Sequence, residues 1–263
     1  MSVKILRTTL SVSSFEVQAF VFIPQSDLKE QWACFTHGYT SQKSDCLAWA
    51  TRTAEAGVPT IIFDQPGHYL GSFNDVESFD DFKNYIHHLF REAYLRLGAF
   101  LEAELGVASY PTCQGLILGG HSLGAMTALK ALDLPEFSAI KKVAVCIGLG
   151  LNVKAETHIF DTTFYQKTLS TRRQLVSPAI DSSLVFPWIR DEKVNLKTTG
   201  QRVHLITGED DAVVGPGGLQ LMVDKLISLG NEVTFYEPKR LPHHEPSQAS
   251  PHIFSFLKGH FGW

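Results

Sequence analysis

The alternation of apolar and polar positions along the chain predicts an α/β protein with a mostly parallel sheet. Two stretches near the N-terminus alternate apolar and polar residues around a serine-rich break, which predicts an antiparallel hairpin. After Pro24 the strands become short and continuously apolar and alternate with amphipathic segments, a pattern typical of strands covered by helices on both faces. The predicted strands are Val3–Leu10, Phe15–Ile23, Trp32–Thr36, Thr60–Phe63, Gly115–Leu118, Lys142–Ile147, Arg202–Thr207 and Val233–Tyr236. The predicted helices are Ser44–Ala54, Ser78–Leu105, Leu123–Leu132, Gly218–Leu229 and Ile253–Phe261.

The regular alternation fades after the sixth strand and resumes near residue 200. Residues 152–200 mix aromatic and polar side chains without a clear period, so we interpret them as a short cap inserted between two strands. No linker rich in proline, glycine and serine divides the chain into independent halves. The pattern therefore predicts a single domain over residues 1–263, with an eight-stranded, mostly parallel sheet, flanking helices and the cap insertion.

Composition and charge narrow the range of partners. The chain has 263 residues, of which 44% are apolar and 19% charged, and its formal net charge is −4 without a basic block, so neither nucleic acid nor an anionic membrane surface is expected to bind. The stretch Leu105–Leu129 has no charged residue, but its glycines and its proline argue against a membrane span. Residues Met1–Phe20 lack the apolar region of a signal peptide, so a cytoplasmic location is expected. The oligomeric state is left open.

The strongest chemical signal is a G-x-S-x-G sequence, Gly120-His121-Ser122-Leu123-Gly124, between a predicted strand and a predicted helix. A sharp strand-turn-helix connection would lift the Ser122 hydroxyl above the edge of the sheet, and the flanking glycines would avoid clashes in that turn. The alternative interpretation is a glycine-rich turn in which Ser122 only caps the helix.

A serine hydroxyl becomes a nucleophile only beside a base and a group that orients that base. Downstream of Ser122, Asp210 and Asp211 follow the strand Arg202–Thr207, while His243 and His244 follow the last strand. Both loops lie at the carboxyl edge of a parallel sheet, where α/β proteins form their active sites. The residues therefore predict a carboxylate and an imidazole near Ser122.

With these motifs in the order Ser, Asp, His, the chain resembles the α/β-hydrolase superfamily over nearly its whole length. The resemblance implies that Ser122, Asp211 and His244 form the catalytic triad, with Asp211 favoured over Asp210 and His244 over His243.

Two further motifs carry the same resemblance. His37-Gly38-Tyr39 is similar to the superfamily's His-Gly element, which implies the backbone N–H groups of Tyr39 and Leu123 as oxyanion donors. Asp64-Gln65-Pro66-Gly67 resembles the turn after the fourth strand, but the second glycine is displaced to Gly71, so an unusual loop shape is expected there.

The resemblance implies a serine hydrolase, similar to carboxylesterases, that cleaves an ester or related acyl bond of a small, fairly apolar substrate. Fold and triad do not select the leaving group, so a thioesterase, a C–C bond hydrolase or an acyltransferase stays open, as does a ligand-binding or regulatory protein with little turnover. No cofactor is expected, because no P-loop or G-x-G-x-x-G sequence follows a strand, and no H-E-x-x-H sequence suggests a metal.

Overall fold

A computed structural model describes residues 2–106, 112–151 and 163–263. Eight strands form one sheet in the order β1-β2-β4-β3-β5-β6-β7-β8. They are β1 (Val3–Val12), β2 (Phe15–Pro24), β3 (Gln31–Thr36), β4 (Thr60–Phe63), β5 (Gly115–His121), β6 (Lys141–Ile147), β7 (Arg202–Ile206) and β8 (Glu232–Tyr236). Only the pairings β1–β2 and β2–β4 are antiparallel, so the predicted mostly parallel, eight-stranded sheet is confirmed.

Helices cover both faces of this sheet. They are α1 (Leu47–Glu55), α2 (Phe79–Tyr85), α3 (Leu89–Leu105), α4 (Leu123–Ala131), α5 (Thr163–Arg172), α6 (Ser182–Val194), α7 (Gly218–Ser228) and α8 (Ser250–Phe261). One apolar cluster packs α3, α4 and α7 on one face, and a second packs α1 and α8 on the other. The central strands β3, β4 and β5 are buried almost throughout, which explains why they read as continuous apolar runs.

Two predicted helices differ from the structure in a way that local chemistry explains. The helix predicted over Ser78–Leu105 begins as expected, with the Ser78 side chain accepting a hydrogen bond from the Asp81 N–H group, but a 3₁₀ turn at Ile86–His88 divides it into α2 and α3. The turn keeps Ile86 buried, so the apolar spacing runs through the break. The predicted start at Ser44 is wrong, because a 3₁₀ turn at Lys43–Cys46 precedes α1.

The segment between β6 and β7 carries α5, α6 and two short 3₁₀ turns over residues 163–200. We call these residues the cap segment. The predicted start of the cap at residue 152 falls outside the described residues, so that boundary and the division of the chain into one domain with a cap stay predictions. Among the described residues no helix is long and apolar enough to cross a membrane.

Candidate active site

Ser122 lies at the turn between β5 and α4, where the chain passes from the centre of the sheet into a buried helix. Its backbone angles are φ 51° and ψ −110°, a region that residues with a side chain rarely adopt. The Ser122 N–H group donates to the Ile147 carbonyl oxygen at 2.8 Å, at the end of the neighbouring strand β6. The strand-turn-helix context predicted around Ser122 is therefore present, with the strain concentrated on this residue.

The two flanking glycines are required by close backbone contacts. A Cβ atom on Gly120 would lie 2.5 Å from the Gly124 carbonyl carbon and 2.8 Å from the Thr36 oxygen. A Cβ atom on Gly124 would lie 2.5 Å from the His37 oxygen and 2.7 Å from the Thr36 oxygen. The end of β3 thus packs directly on the turn that carries Ser122, and any larger residue would push the two apart.

The loop after β3 brings Tyr39 to the same side of the sheet as Ser122. Thr40 follows with φ 58°, which turns the chain sharply. The Tyr39 hydroxyl donates to the Ile180 carbonyl oxygen at 2.9 Å, and its ring meets Phe186 edge to face at 5.2 Å, so the loop is tied to the cap segment. Leu123 begins α4, and the first N–H groups of a helix have no partner within that helix.

A buried histidine, His37, holds this loop by hydrogen bonds to the backbone. The His37 Nε2 atom accepts a hydrogen bond from the Gln65 N–H group at 2.9 Å, which leaves Nδ1 to donate to the Gly38 carbonyl oxygen at 2.8 Å. Burial is the main cause that lowers the pKa of His37 to about 3; the hydrogen bond to Gly38 opposes this shift and the nearby Lys43 adds to it. The ring is therefore neutral and holds the backbone at Gly38.

An ion pair at the end of β4 holds the other side of the loop. The Asp64 carboxylate is fully buried and accepts hydrogen bonds from the Lys43 N–H group at 2.7 Å, the Lys43 Nζ atom at 2.7 Å and the Ser72 hydroxyl at 2.9 Å. A Cβ atom on Gly71 would lie 2.3 Å from the Asp64 side chain. The displaced glycine of the sequence motif therefore has a packing role, since it lets the chain cross over the buried carboxylate.

The structure pairs Asp211 with His243 and not with His244. The His243 Nδ1 atom lies 2.8 Å from Asp211 Oδ2, and the side chains are 8% and 1% exposed. The second Asp211 oxygen accepts from the N–H groups of Val213 and Val214 at 3.0 and 2.9 Å. This geometry corrects the prediction of His244 as the partner of Asp211.

The shape of the loop after β8 explains the correction. The Asp210 carboxylate accepts a hydrogen bond from the Leu241 N–H group at 2.7 Å, which fixes the start of the loop. The Glu245 N–H group then donates to the Pro242 carbonyl oxygen at 3.0 Å, so the two histidines are the central residues of a tight turn. Their rings diverge at 88°, and one turns to Asp211 while the other is exposed.

A third imidazole packs against this pair. The His121 ring centre lies 4.6 Å from that of His243, and the His121 side chain is almost fully buried. Burial is the main cause that holds the pKa of His121 well below its ordinary value, and His243 and His244 act in the same direction. His244 is more exposed, but the partial loss of hydration where its ring meets the cavity wall is the main cause that lowers its pKa to about 4, and Arg172 and His243 act in the same direction. Both rings are therefore neutral at pH 7.

One cavity of about 290 Å³ contains Ser122, His243 and His244. This volume is at the small end of the range for ligand sites. The cap segment contributes the apolar side chains of Leu175, Phe186 and Ile189 to its wall, and Val213 and Val214 add to them from the loop after β7. Arg172 and Lys193, which the sequence did not single out, also line it. Among the described residues no group of three or more His, Cys, Asp and Glu side chains could hold a metal ion.

Comparisons with known proteins place the chain in a family. A comparison with curated protein sequences finds no match. Among solved structures, E-2-(acetamidomethylene)succinate hydrolase is 15% identical, with a TM-score of 0.65 over 99% of this chain and 100% of that chain. The thioesterase domain from the curacin biosynthetic pathway is 16% identical, with a TM-score of 0.60 over 97% of this chain and 99% of that chain. A cold-adapted esterase from an Arctic intertidal metagenomic library is 20% identical, with a TM-score of 0.55 over 98% and 94%.

At these identities the solved structures show a shared fold and no shared substrate. The sequence model described as the alpha/beta hydrolase family matches residues 35–212, a range that includes Ser122 and Asp211 and ends before His243. Because this match covers more than half of the sequence, the chain belongs to the alpha/beta hydrolase family.

Proposed function

We propose that the protein is a serine hydrolase that cleaves an ester or related acyl bond of a small substrate through an acyl-enzyme intermediate. The observation that carries the proposal is the strained turn at Ser122, which opens into the same cavity as an imidazole hydrogen-bonded to Asp211. Nucleophilic catalysis by serine requires an oriented base near the hydroxyl, and backbone strain of this kind clusters at active sites.

In the proposed reaction His243 is the base. With Nδ1 donating to Asp211, the Nε2 atom is the free nitrogen that takes the proton from the Ser122 hydroxyl as that oxygen attacks the acyl carbonyl carbon. The backbone N–H groups of Tyr39 and Leu123 stabilise the negative oxygen of the tetrahedral intermediate. His243 then gives its proton to the leaving group, which departs and leaves the acyl group on Ser122. Water attacks this acyl-enzyme while His243 takes its proton, and His243 returns that proton to the Ser122 oxygen as the acid is released.

Several contacts support these roles. The carboxylate of Asp211 is held by two backbone N–H groups, so it can fix the imidazole without moving. His37 and the buried Lys43–Asp64 pair hold the loop that carries Tyr39. The small cavity with apolar walls suits a small acyl substrate, and we place the activity among the carboxylesterases.

The proposal is tested by labelling the wild-type protein and the Ser122→Ala variant with a fluorophosphonate, followed by intact mass and peptide mapping. We expect a stoichiometric adduct on Ser122 of the wild type and none on the variant, because only an activated serine reacts. Far-UV circular dichroism of both proteins is the control for folding. A folded wild-type protein that stays unlabelled would contradict the proposal and favour a ligand-binding role.

The choice between the two adjacent histidines has its own test. We expect His243→Ala to lower kcat/KM on para-nitrophenyl esters on the order of 10³-fold or more, since it removes the general base. His244→Ala is the matched control, and we expect it to lower kcat/KM less than about tenfold, the most that loss of a cavity-wall contact worth about 1.4 kcal/mol would cause. The reverse pattern would return the role of base to His244.

A further inference from the structure

Two cationic side chains of the cap segment line the cavity that contains Ser122. Arg172 is the last residue of α5, and Lys193 lies near the end of α6. Neither position belongs to the elements that carry the proposed triad. A charged group on the wall of a small and partly apolar cavity loses hydration, which costs free energy unless a group of opposite charge binds there.

Neighbouring groups place Lys193 near Asp211 and Arg172 near His244. The Lys193 Nζ atom donates to the Gly150 carbonyl oxygen at 2.8 Å, just beyond the end of β6, and Lys193 is close enough to Asp211 for the two charges to interact. Arg172 hydrogen-bonds to Tyr165 and is close enough to His244 to lower its pKa. The two cations therefore lie on the side of the cavity that carries the histidines.

Neither cation has an acidic partner within the part of the chain that the structure describes. Other basic residues of the cap segment do, since Arg173 pairs with Asp181 at 3.1 Å. Among the described residues, no carboxylate lies within 4 Å of Arg172 or Lys193. Among the described residues that line the cavity, Asp45 is the acidic side chain, so the two cations exceed the carboxylates of the lining by one. Asp211 does not line the cavity and is hydrogen-bonded to His243.

Building on the proposed hydrolase function, we propose that Arg172 and Lys193 form an anion subsite that selects acyl substrates carrying a carboxylate. A single carboxylate matches the charge of the wall, and an arginine guanidinium and a lysine ammonium each form strong, charge-assisted hydrogen bonds with its oxygens. Such a substrate is a half-ester of a dicarboxylic acid or an ester with a carboxylate on its alcohol part.

The charge of Lys193 gives this subsite a dependence on pH. Burial lowers the pKa of Lys193 to about 8, with Arg190 acting in the same direction and Asp211 opposing it. Arg172 on the same wall stays charged throughout the useful pH range. The preference for an anionic substrate is thus complete below about pH 7 and declines as the pH rises through 8, because Lys193 then loses its proton.

Matched pairs of esters measure the selectivity. One pair, para-nitrophenyl hydrogen adipate and para-nitrophenyl heptanoate, differs in charge on the acyl part; the other, para-acetoxybenzoate and its methyl ester, differs in charge on the alcohol part. We expect the wild type to favour the anionic ester of at least one pair by about tenfold or more in kcat/KM, the range of a charge-assisted hydrogen bond. This ratio should fall by about tenfold in Lys193→Met and in Arg172→Gln.

The matched control is Lys167→Met, which removes an exposed cation from the same helix as Arg172 without touching the cavity wall. Its ratio should equal that of the wild type. Fluorophosphonate labelling of Ser122 in each variant shows whether the catalytic groups are intact. A labelled wild type with a ratio near one for both pairs would overturn the anion subsite while leaving the hydrolase proposal standing.

Binding gives a second readout that does not depend on turnover. In Ser122→Ala, calorimetric titration with adipate should give a dissociation constant that rises about tenfold when Lys193→Met is added and is unchanged by Lys167→Met. Equal affinity for adipate in all three proteins would also overturn the subsite. If Ser122 is unlabelled in the wild type, the hydrolase proposal fails, and the titration then decides the anion subsite alone.

Discussion

Replacing Lys43 by methionine tests whether a buried ion pair holds the loop beside the proposed oxyanion site. The Lys43 Nζ atom lies 2.7 Å from Asp64 Oδ2, and the two side chains are 11% and 0% exposed. Methionine keeps most of the apolar stem, but it removes the ammonium group, which also lies 5.0 Å from the centre of the Phe20 ring. The variant therefore leaves the Asp64 carboxylate buried without a cation.

The size of the effect follows from the contacts that remain. Breaking a buried ion pair by removing one partner costs about 3–5 kcal/mol. Asp64 keeps the hydrogen bonds from the Lys43 N–H group and the Ser72 hydroxyl, which compensate part of the loss, so we expect about 2–4 kcal/mol. For a protein of this size, 3 kcal/mol corresponds to a fall in Tm of about 6–12 °C.

Urea unfolding followed by circular dichroism measures this difference. The matched control is Arg202→Met, because the Arg202–Glu232 pair is also 2.7 Å long but its side chains are 54% and 64% exposed. We expect that control to cost less than about 1 kcal/mol. Equal losses in the two variants would refute the argument that burial makes the Lys43 pair important.

A double-mutant cycle with Asp64→Asn separates the pair from the packing around it. If the two side chains act as one unit, the double variant should lose clearly less than the sum of the single losses, with a coupling on the order of 1–3 kcal/mol. Losses that simply add would show that Lys43 and Asp64 stabilise the protein independently. Because the pair supports the loop that carries Tyr39, we also expect kcat/KM to fall in both single variants.

Two further substitutions test the contacts around Ser122. Gly124→Ala should destabilise the protein by about 1–3 kcal/mol and lower kcat/KM, since its Cβ atom would lie 2.5 Å from the His37 backbone oxygen. The control is Gly259→Ala, an exposed helical position with nothing within 4 Å, which should stabilise the protein by about 0.5–1 kcal/mol. Similar urea midpoints for the two variants would contradict this reasoning. Tyr39→Phe should cost about 0.5–1.5 kcal/mol through the lost hydrogen bond to Ile180 and lower kcat/KM a few-fold, whereas unchanged values would show that the loop is held without it.

The fold could be predicted from the sequence because each element carries its own local signal. Strands buried on both faces are continuous apolar runs, and the hairpin of β1 and β2 alternates because one side faces solvent. The missed details are local. The break at Ile86–His88 leaves the apolar spacing intact, so a periodicity argument passes over it. The 3₁₀ turn at Lys43–Cys46 is set by the hydrogen bond from Lys43 to Asp64, a contact with another strand that local sequence does not contain.

The site could be predicted only as far as its motifs fix the backbone. The glycines around Ser122 are required by contacts with the neighbouring strand, so five residues are enough to predict the turn. The choice between His243 and His244 depends on where a four-residue turn begins, and that is fixed by the hydrogen bond between Asp210 and Leu241 from two distant loops. Neighbouring residues in such a turn point in different directions, so a shift of one position exchanges their roles.

The division of the cavity between two parts of the chain explains which properties a sequence motif can report. The sheet and its loops supply the serine, the imidazole and the carboxylate. Close backbone contacts require glycines beside Ser122, two backbone N–H groups hold the Asp211 carboxylate, and this carboxylate holds His243. The cap segment supplies Arg172 and Lys193, which are ordinary helical positions. No backbone contact in the described part of the chain requires a particular residue type there, so the sequence pattern around them is that of any exposed cation on a helix. What distinguishes Arg172 and Lys193 from other helical cations is that they line the same cavity as Ser122. Under the two proposals, the motifs therefore indicate the type of reaction, whereas the charge of the substrate depends on how the cap segment packs against them.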